Sequence, residues 1–260
     1  MKPFRIEFIG QPPFSNAHLL ANAAQNTHRH RIERGSCAGR KLAVVGGGPL
    51  VVNDLDELRA WDGDIWAINF MAPWLTERGV RCKLFSGEPD MPHVASDGAI
   101  IGSYVKASTF DAYGDAALAV DFVETVSDGL PGGQSGATRT PAVAFSMGYM
   151  DVSFFGCEGS FDDADHVDRH ENLESILIIR AGGVDYKTRP DFLLYTKELA
   201  QLITTLNGAF HNRSGGLLKA MIENMDTWEI VGVSAALKTH LEEMNGKQGI
   251  FDDIYQPLAA

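Results

Sequence analysis

The 260-residue sequence has few cysteines and lacks the patterns that cysteine-based sites need. Its three cysteines are Cys37, Cys82 and Cys157. They contain no CxxC pair and are odd in number, which argues against a disulfide framework and against a zinc knuckle. We therefore expect reduced thiols packed in a protein core.

Long apolar runs and clustered basic residues are also scarce. No stretch approaches the roughly 20 apolar residues of a membrane span, and the first residues lack the apolar run of a secretory signal. Acidic residues outnumber basic ones by 34 to 22, and the net charge is -12. Such a balance disfavours binding to nucleic acid, because that binding depends on clustered Lys and Arg. We predict a cytoplasmic protein with no membrane span and no nucleic-acid partner. Self-association into a homo-oligomer stays open.

The composition itself is that of a globular protein, with 45% hydrophobic and 22% charged residues. This is enough to bury a core and argues against disorder. The polar residues 1–40 predict an N-terminal arm. Apolar runs and glycine turns over 41–215 predict a nucleotide-binding domain, and residues 216–260 predict a helical C-terminal extension of two helices.

The fold class follows from the order of apolar segments in the central region. Strands are predicted at 41–45, 64–69 and 82–86, with helices at 50–58 and 72–78 between them, which is a βαβαβ unit. Further strands are predicted at 99–101, 117–120 and 151–155, and further helices up to 148 and over 193–206. The sequence therefore predicts an α/β protein with a Rossmann-like, open, mostly parallel sheet flanked by helices. The order of the later strands is left open.

The first predicted strand runs directly into the turn Gly46-Gly47-Gly48-Pro49. Ligands of open α/β sheets bind beyond the carboxyl ends of strands, and glycine lets backbone approach a phosphate closely. Proline is tolerated at a helix start. The turn therefore predicts contact with a phosphate or nucleotide, with a tight turn that binds nothing as the alternative. Neither GxGxxG, which needs glycine at Val51, nor Walker A is present, which disfavours an oxidoreductase and a P-loop kinase.

Three further positions follow strands or precede helices in the same way. Asn69 ends the second strand and is either a ribose or phosphate ligand or a plain strand-end cap. Glu158 follows the strand at 151–155 and is either an acid/base group or a solvated carboxylate. A second turn at a helix start supplies hydroxyl and backbone donors, and its residues are Gly133, Gln134, Ser135 and Gly136.

Residues 161–171, here called the acidic loop, concentrate histidines and carboxylates. His166 and His170 are candidates for general acid/base work because histidine titrates near neutral pH. Asp165 and Asp168 are candidate ligands of Mg²⁺, which prefers carboxylate oxygens. Neither an HExxH motif nor EF-hand spacing is present. A solvated structural loop is the alternative.

An ordered set of segments over residues 41–215 resembles the 6-hydroxymethylpterin diphosphokinase MptE-like family. That family is related to the motility accessory factor glycosyltransferases and, more distantly, to bacterial family 42 sialyltransferases. The resemblance implies a Rossmann-like fold and transfer from a nucleotide-activated donor. The matching segments are Val44–Pro49, Ile68-Asn69, Trp74–Gly79, Gly132–Ala137, Met147–Tyr149 and Phe155–Glu158.

The resemblance also implies roles for single residues. Gly46, Gly48 and Pro49 match the donor-binding turn, Asn69 matches a sialyltransferase asparagine, and Ser135-Gly136 match a second nucleotide-binding turn. The chain departs from the pattern at Leu50, where serine is usual, at Gly47, where sialyltransferases have asparagine, and at Glu158, where aspartate is usual. The sialyltransferase catalytic histidine has no clear counterpart, and His166 and His170 are its candidates.

Three functions are compatible with these observations. The leading hypothesis is a transferase, glycosyltransferase-like, that uses a cytidine-type sugar donor and an acceptor that the sequence does not identify. The second is a Mg²⁺-dependent diphosphokinase that acts on a hydroxymethylpterin, with Asp165 and Asp168 holding the metal. The third is a nucleotide-binding protein without catalytic activity, which the departures at Gly47 and Leu50 support.

Overall fold

The computed structural model describes residues 16–121, 135–161, 175–206, 208–224, 227–235 and 237–238. The strands within these ranges are β1 (Lys41–Val45), β2 (Asp64–Ile68), β3 (Lys83–Ser86), β4 (Ala99–Gly102), β5 (Ala117–Val120), β6 (Asp151–Phe155), β7 (Leu177–Ala181), β8 (Val184–Thr188), β9 (Phe210–Asn212) and β10 (Glu229–Val233). The α-helices are α1 (Asn16–Gln25), α2 (Leu55–Arg59), α3 (Met71–Glu77), α4 (Ala107–Tyr113), α5 (Gly136–Ser146), α6 (Pro190–Thr205) and α7 (Gly216–Glu223).

The main sheet has seven strands in the order β5-β4-β3-β2-β1-β6-β9. The neighbouring pairs from β1 to β5 are all parallel. The predicted βαβαβ unit, the other predicted strands and the mostly parallel α/β class are confirmed. The strand order runs outward from β1 to β5 in one direction, whereas β6 lies on the other side of β1. The order of the strands thus reverses beside β1.

Packing divides the described chain into two compact units. The first unit contains the residues up to Val45 together with Asp56–Val152, and the second contains Gly46–Leu55 together with the residues from Ser153 onward. The segment boundaries predicted from the sequence at 40/41 and 215/216 stay a prediction, which limited proteolysis can check.

The core of the first unit is built around buried strands and aromatic rings. Strand β1 is buried from Leu42 to Val45, which explains its unbroken apolar sequence. Trp66 stacks on Phe85 with ring centroids 5.6 Å apart and meets Tyr149 edge to face at 5.4 Å. Helix α3 packs against β2 and β3, as its apolar residues predict. These aromatic residues fill the core of the first unit.

Within the residues for which an N-terminal arm is predicted, Asn16–Gln25 form the helix α1. The segment that follows is anchored by Asn26, which is completely buried. Its Nδ2 donates to the carbonyls of Ser103 at 3.0 Å and Val105 at 2.6 Å. A buried amide that bonds distant backbone explains why a polar stretch is ordered here.

The second unit contains a three-stranded antiparallel sheet in the order β10-β7-β8. The prediction of two helices after Gly216 is correct for α7 but wrong for Glu229–Val233, which form β10. The β-branched residues Ile230, Val231 and Val233 favour a strand there, and pairing with β7 stabilises it. None of the helices in the described ranges is long and apolar enough to cross a bilayer.

Candidate functional site

The turn Gly46–Pro49, here called the glycine turn, follows β1 and lies in the second unit. The N–H of Gly46 donates to the carbonyl of Phe155 at 2.8 Å, and the N–H of Gly48 donates to the carbonyl of Gly156 at 2.8 Å. Two backbone donors that could have faced a phosphate therefore bond to the last residue of β6 and to the residue after it. After Gly48 the chain forms a 3₁₀ turn over Pro49–Asp54 and then α2, with Pro49 at its start.

Two glycines of this turn are required by packing. A Cβ on Gly46 would lie 2.5 Å from the carbonyl oxygen of Gly156, and one on Gly48 would lie 1.5 Å from Oε2 of Glu158. Gly48 has φ of -64° and ψ of 147°, which any residue can adopt. Position 48 therefore requires glycine because a side chain has no room there, and not because of the backbone conformation. Contact between these glycines and a phosphate stays a prediction.

Glu158 is the most unusual group at the glycine turn. The residue is 1% exposed, and neither carboxylate oxygen has a hydrogen-bond partner among the described residues. Removal from water raises the pKa of Glu158 to about 7, and the negative charge of Asp54 adds to the rise. Backbone groups of Glu158 itself and of Leu50 favour the ionised carboxylate and so partly offset this rise in pKa. The expected alternative of a solvated carboxylate is wrong, because this side chain is buried.

The backbone around Glu158 is fixed from two directions. The carbonyl of Glu158 accepts the N–H of Leu218 in the first turn of α7 at 2.8 Å. Ser214 is buried; its Oγ accepts the N–H of Cys157 at 2.8 Å and donates to the carbonyl of Phe154 at 3.2 Å. The backbone that carries Glu158 is therefore fixed by hydrogen bonds on both sides of the residue, which suits the support of a functional group.

The neighbouring thiol is not a nucleophile. Burial raises the pKa of Cys157 to about 12, and the adjacent Glu158 adds to the rise. Cys157 is only partly buried, whereas Cys82 is buried, and removal from water raises the pKa of Cys82 to about 11. Because the thiolate is the reactive form, these cysteines are inert near neutral pH. Cys37, Cys82 and Cys157 are all free, as the sequence predicts.

Asn69 and the start of α5 meet at the carboxyl end of β2, in the first unit. Asn69 has φ of 50°, a left-handed conformation that asparagine tolerates better than most residues. Its Oδ1 accepts the hydroxyl of Ser86 at 2.8 Å, and its Nδ2 lies 3.5 Å from Oε1 of Glu88. A Cβ on Gly136 would lie 2.4 Å from Cγ2 of Ile68, so the first turn of α5 approaches the residue before Asn69.

Ser135 caps α5 through a capping box. Its Oγ accepts the N–H of Thr138 at 3.2 Å, and the Thr138 hydroxyl accepts the N–H of Ser135 at 3.0 Å. The hydroxyl of Ser135 thus has a structural role at the helix start, as capping residues do. The predicted helix start is confirmed, and a contact between Ser135 and a donor stays a prediction.

We expect the Asn69→Ala variant to lower the free energy of unfolding by about 1–2 kcal/mol, because it loses the Ser86 bond and places alanine in a left-handed conformation. Asn69→Gly is the matched control, since it loses the same bond without the backbone strain. Urea unfolding of both variants measures the difference. Equal stability of Asn69→Ala and Asn69→Gly would contradict the strain argument.

Several predicted site residues lie outside the described ranges. They are Gly133, Gln134, Asp165, His166, Asp168 and His170. Among the residues that the structure does describe, no group of three or more His, Cys, Asp or Glu side chains is placed to hold a metal ion. The Mg²⁺ prediction for Asp165 and Asp168 therefore stays a prediction.

Two polar pairs in the first unit have no role that the sequence predicts. Ser86 and Glu88 contact Asn69, as described above. Arg139 on α5 donates to the hydroxyl of Tyr104 at 2.8 Å, and burial raises the pKa of that buried tyrosine. The signal for Ser86 was its place at the end of β3, because the ends of neighbouring parallel strands meet at one edge of a sheet. No sequence signal joins Tyr104 to Arg139.

Comparison with known proteins shows which solved structures have a similar fold. No protein-family model matches the chain, and no curated protein matches its sequence. The solved structure of a MAf glycosyltransferase from Magnetospirillum magneticum AMB-1 is similar over 88% of this chain, with a TM-score of 0.57 and 13% identity. This chain spans 41% of that glycosyltransferase. A weaker similarity, with a TM-score of 0.43 and 14% identity, is to the sialyltransferase CstII from Campylobacter jejuni, solved with a substrate analogue, cytidine-5'-monophosphate. It covers 79% of this chain and 98% of CstII. The chain thus has the fold of a region of a glycosyltransferase.

Proposed function

We propose that the protein is a transferase that uses a nucleotide-activated donor, in a glycosyltransferase-like reaction. The observation that carries the proposal is Glu158, a buried carboxyl group without a hydrogen-bond partner among the described residues, held against the glycine turn. Buried ionisable groups with a strongly shifted pKa are concentrated at functional sites. The likeness in fold to a MAf glycosyltransferase supports the class of reaction.

In the proposed reaction, the oxygen of an acceptor hydroxyl attacks the anomeric carbon of the donor sugar. The bond between that carbon and the donor phosphate breaks, and the nucleotide leaves with the bonding electrons. His166 or His170 takes the hydroxyl proton or protonates the leaving phosphate. The glycine turn, Asn69 and the turn of Ser135 are the proposed contacts of the donor. The cytidine-type donor rests on the resemblance of the sequence.

Ligand-induced stabilisation tests the proposed donor class. We expect CMP or CDP to raise the melting temperature of the protein more than UDP, GDP, ADP or ATP, because a ligand that binds only the native state stabilises it. At 100 times Kd the stabilisation reaches about 2.7 kcal/mol. The measurement is a thermal-shift panel of these nucleotides with and without Mg²⁺. Stabilisation by ATP alone, and only with Mg²⁺, would contradict the glycosyltransferase assignment and favour a diphosphokinase.

A further inference from the structure

The glycine turn has fewer free donors for a phosphate than its sequence suggests. The N–H groups of Gly46 and Gly48 already bond to the carbonyls of Phe155 and Gly156, and Pro49 has no N–H. An anionic phosphate bound at this turn would therefore have fewer backbone donors than usual to compensate its charge. The nearest side chain to Gly48 is the carboxyl group of Glu158, whose two oxygens have no partner among the described residues.

The ionised form of Glu158 is poorly suited to this position. Of the groups that face it, Asp54 carries a negative charge, Cys157 stays a neutral thiol, and α7 approaches it through Gly216, which has no side chain. Among the described residues no Lys, Arg or His side chain is hydrogen-bonded to its carboxyl oxygens. Only backbone groups of Leu50 and of Glu158 itself favour the ionised form by lowering the pKa of this carboxyl group. A bound phosphate would add another negative charge and would favour the protonated form further. Protonated Glu158 has an O–H that can donate to a phosphate oxygen.

We propose that protonated Glu158 is a phosphate-binding residue of the glycine turn, so that a nucleotide phosphate binds together with one proton taken from solvent. This inference rests on the proposed function and adds to it the protonation state in which the donor is bound. The ligand class is a nucleoside phosphate. Glu158 then determines how strongly the donor binds at a given pH, while the transfer of the proton to or from the acceptor belongs to another group.

Calorimetry with the tightest-binding nucleotide of the panel tests the inference. Titrations run between pH 7.5 and 9, because phosphate groups, with a second pKa of about 6, are fully ionised there. Two buffers with different ionisation enthalpies give the number of protons taken up. For the wild type we expect uptake that approaches one proton per nucleotide and a Kd that rises up to about tenfold per pH unit.

Glu158→Gln is the matched variant, because its amide has the shape of the carboxyl and donates hydrogen bonds at every pH. We expect it to bind without proton uptake, with a Kd independent of pH, and at pH 9 at least about tenfold more tightly than the wild type. The wild-type proton count needs no variant, so the test does not depend on the folding of Glu158→Gln.

Three results would overturn the inference, and they are distinguishable. Wild-type binding without proton uptake removes the inference and leaves the proposed function. Loss of nucleotide binding in a folded Glu158→Gln variant at every pH would mean that the ionised carboxylate accepts from a ligand hydroxyl. Absence of binding by every nucleotide of the panel between pH 6 and 9 removes the proposed function and the inference together.

Discussion

The Gly48→Val variant is expected to lose more than about 3 kcal/mol of folding free energy, because overpacking by a single methyl group already costs about 1–3 kcal/mol. The added Cβ would lie 1.5 Å from Oε2 of Glu158 and 2.9 Å from the carbonyl oxygen of Gly156. The carboxyl group is buried, and the carbonyl belongs to the backbone. Urea unfolding measures the loss, and Gly48→Ala should show a smaller one.

Gly79→Ala is the control for this prediction. Gly79 has φ of 76° and nothing within 4 Å of a Cβ, so alanine there meets backbone strain without a clash. Left-handed strain costs about 1–2 kcal/mol. Gly48→Ala has the clash without the strain. Combining Gly48→Ala with Glu158→Ala should recover part of the loss, as residues in contact do not act additively. Stability of Gly48→Val equal to that of the wild type would contradict the contact between Gly48 and Glu158.

The same contact shows why the fold was easier to predict than the site. The βαβαβ unit follows from short-range signals, such as the buried run Lys41–Val45 and the cap at Gly79, whose N–H bonds to the Thr76 carbonyl. The burial of Glu158 depends instead on Gly48, 110 positions earlier, and on β6 lying beside β1. Nothing local in the sequence encodes that neighbourhood, so the carboxyl group could be predicted as a strand-end acid but not as a buried one.

The misassigned segment at the C-terminal side has a related cause. Glu229–Val233 pairs with β7, whose residues Leu177–Ala181 lie about fifty positions away. Its own apolar residues are compatible with a buried helix or a strand, and the tertiary partner decides between them. Helix α7, with buried Leu217, Leu218 and Met221 on one side, contains its own helical signal and was predicted correctly.

Within the proposed transferase, replacing both His166 and His170 with asparagine is expected to lower kcat about 10²–10⁴-fold, because that is the usual contribution of a general acid or base. The donor Kd should change little, since the proposed donor contacts are the two glycine-containing turns and Asn69. Glu158→Gln should do the reverse, changing the pH dependence of donor binding while the histidines still transfer the proton. Binding and chemistry would then separate onto different residues.

His93→Asn is the matched histidine control for this experiment. His93 packs on Tyr113, with ring centroids 4.7 Å apart, and has no place in the proposed site. We expect its kcat to equal that of the wild type. Single variants of His166 and His170 then identify which of the two acts, through transfer to an acceptor or hydrolysis of the donor.

If the double variant keeps full turnover, the acid/base role passes to Glu158 or to the substrate. If the wild type binds the donor but neither transfers nor hydrolyses it across a broad acceptor panel, the protein is a nucleotide-binding protein, because the buried carboxyl then serves binding alone.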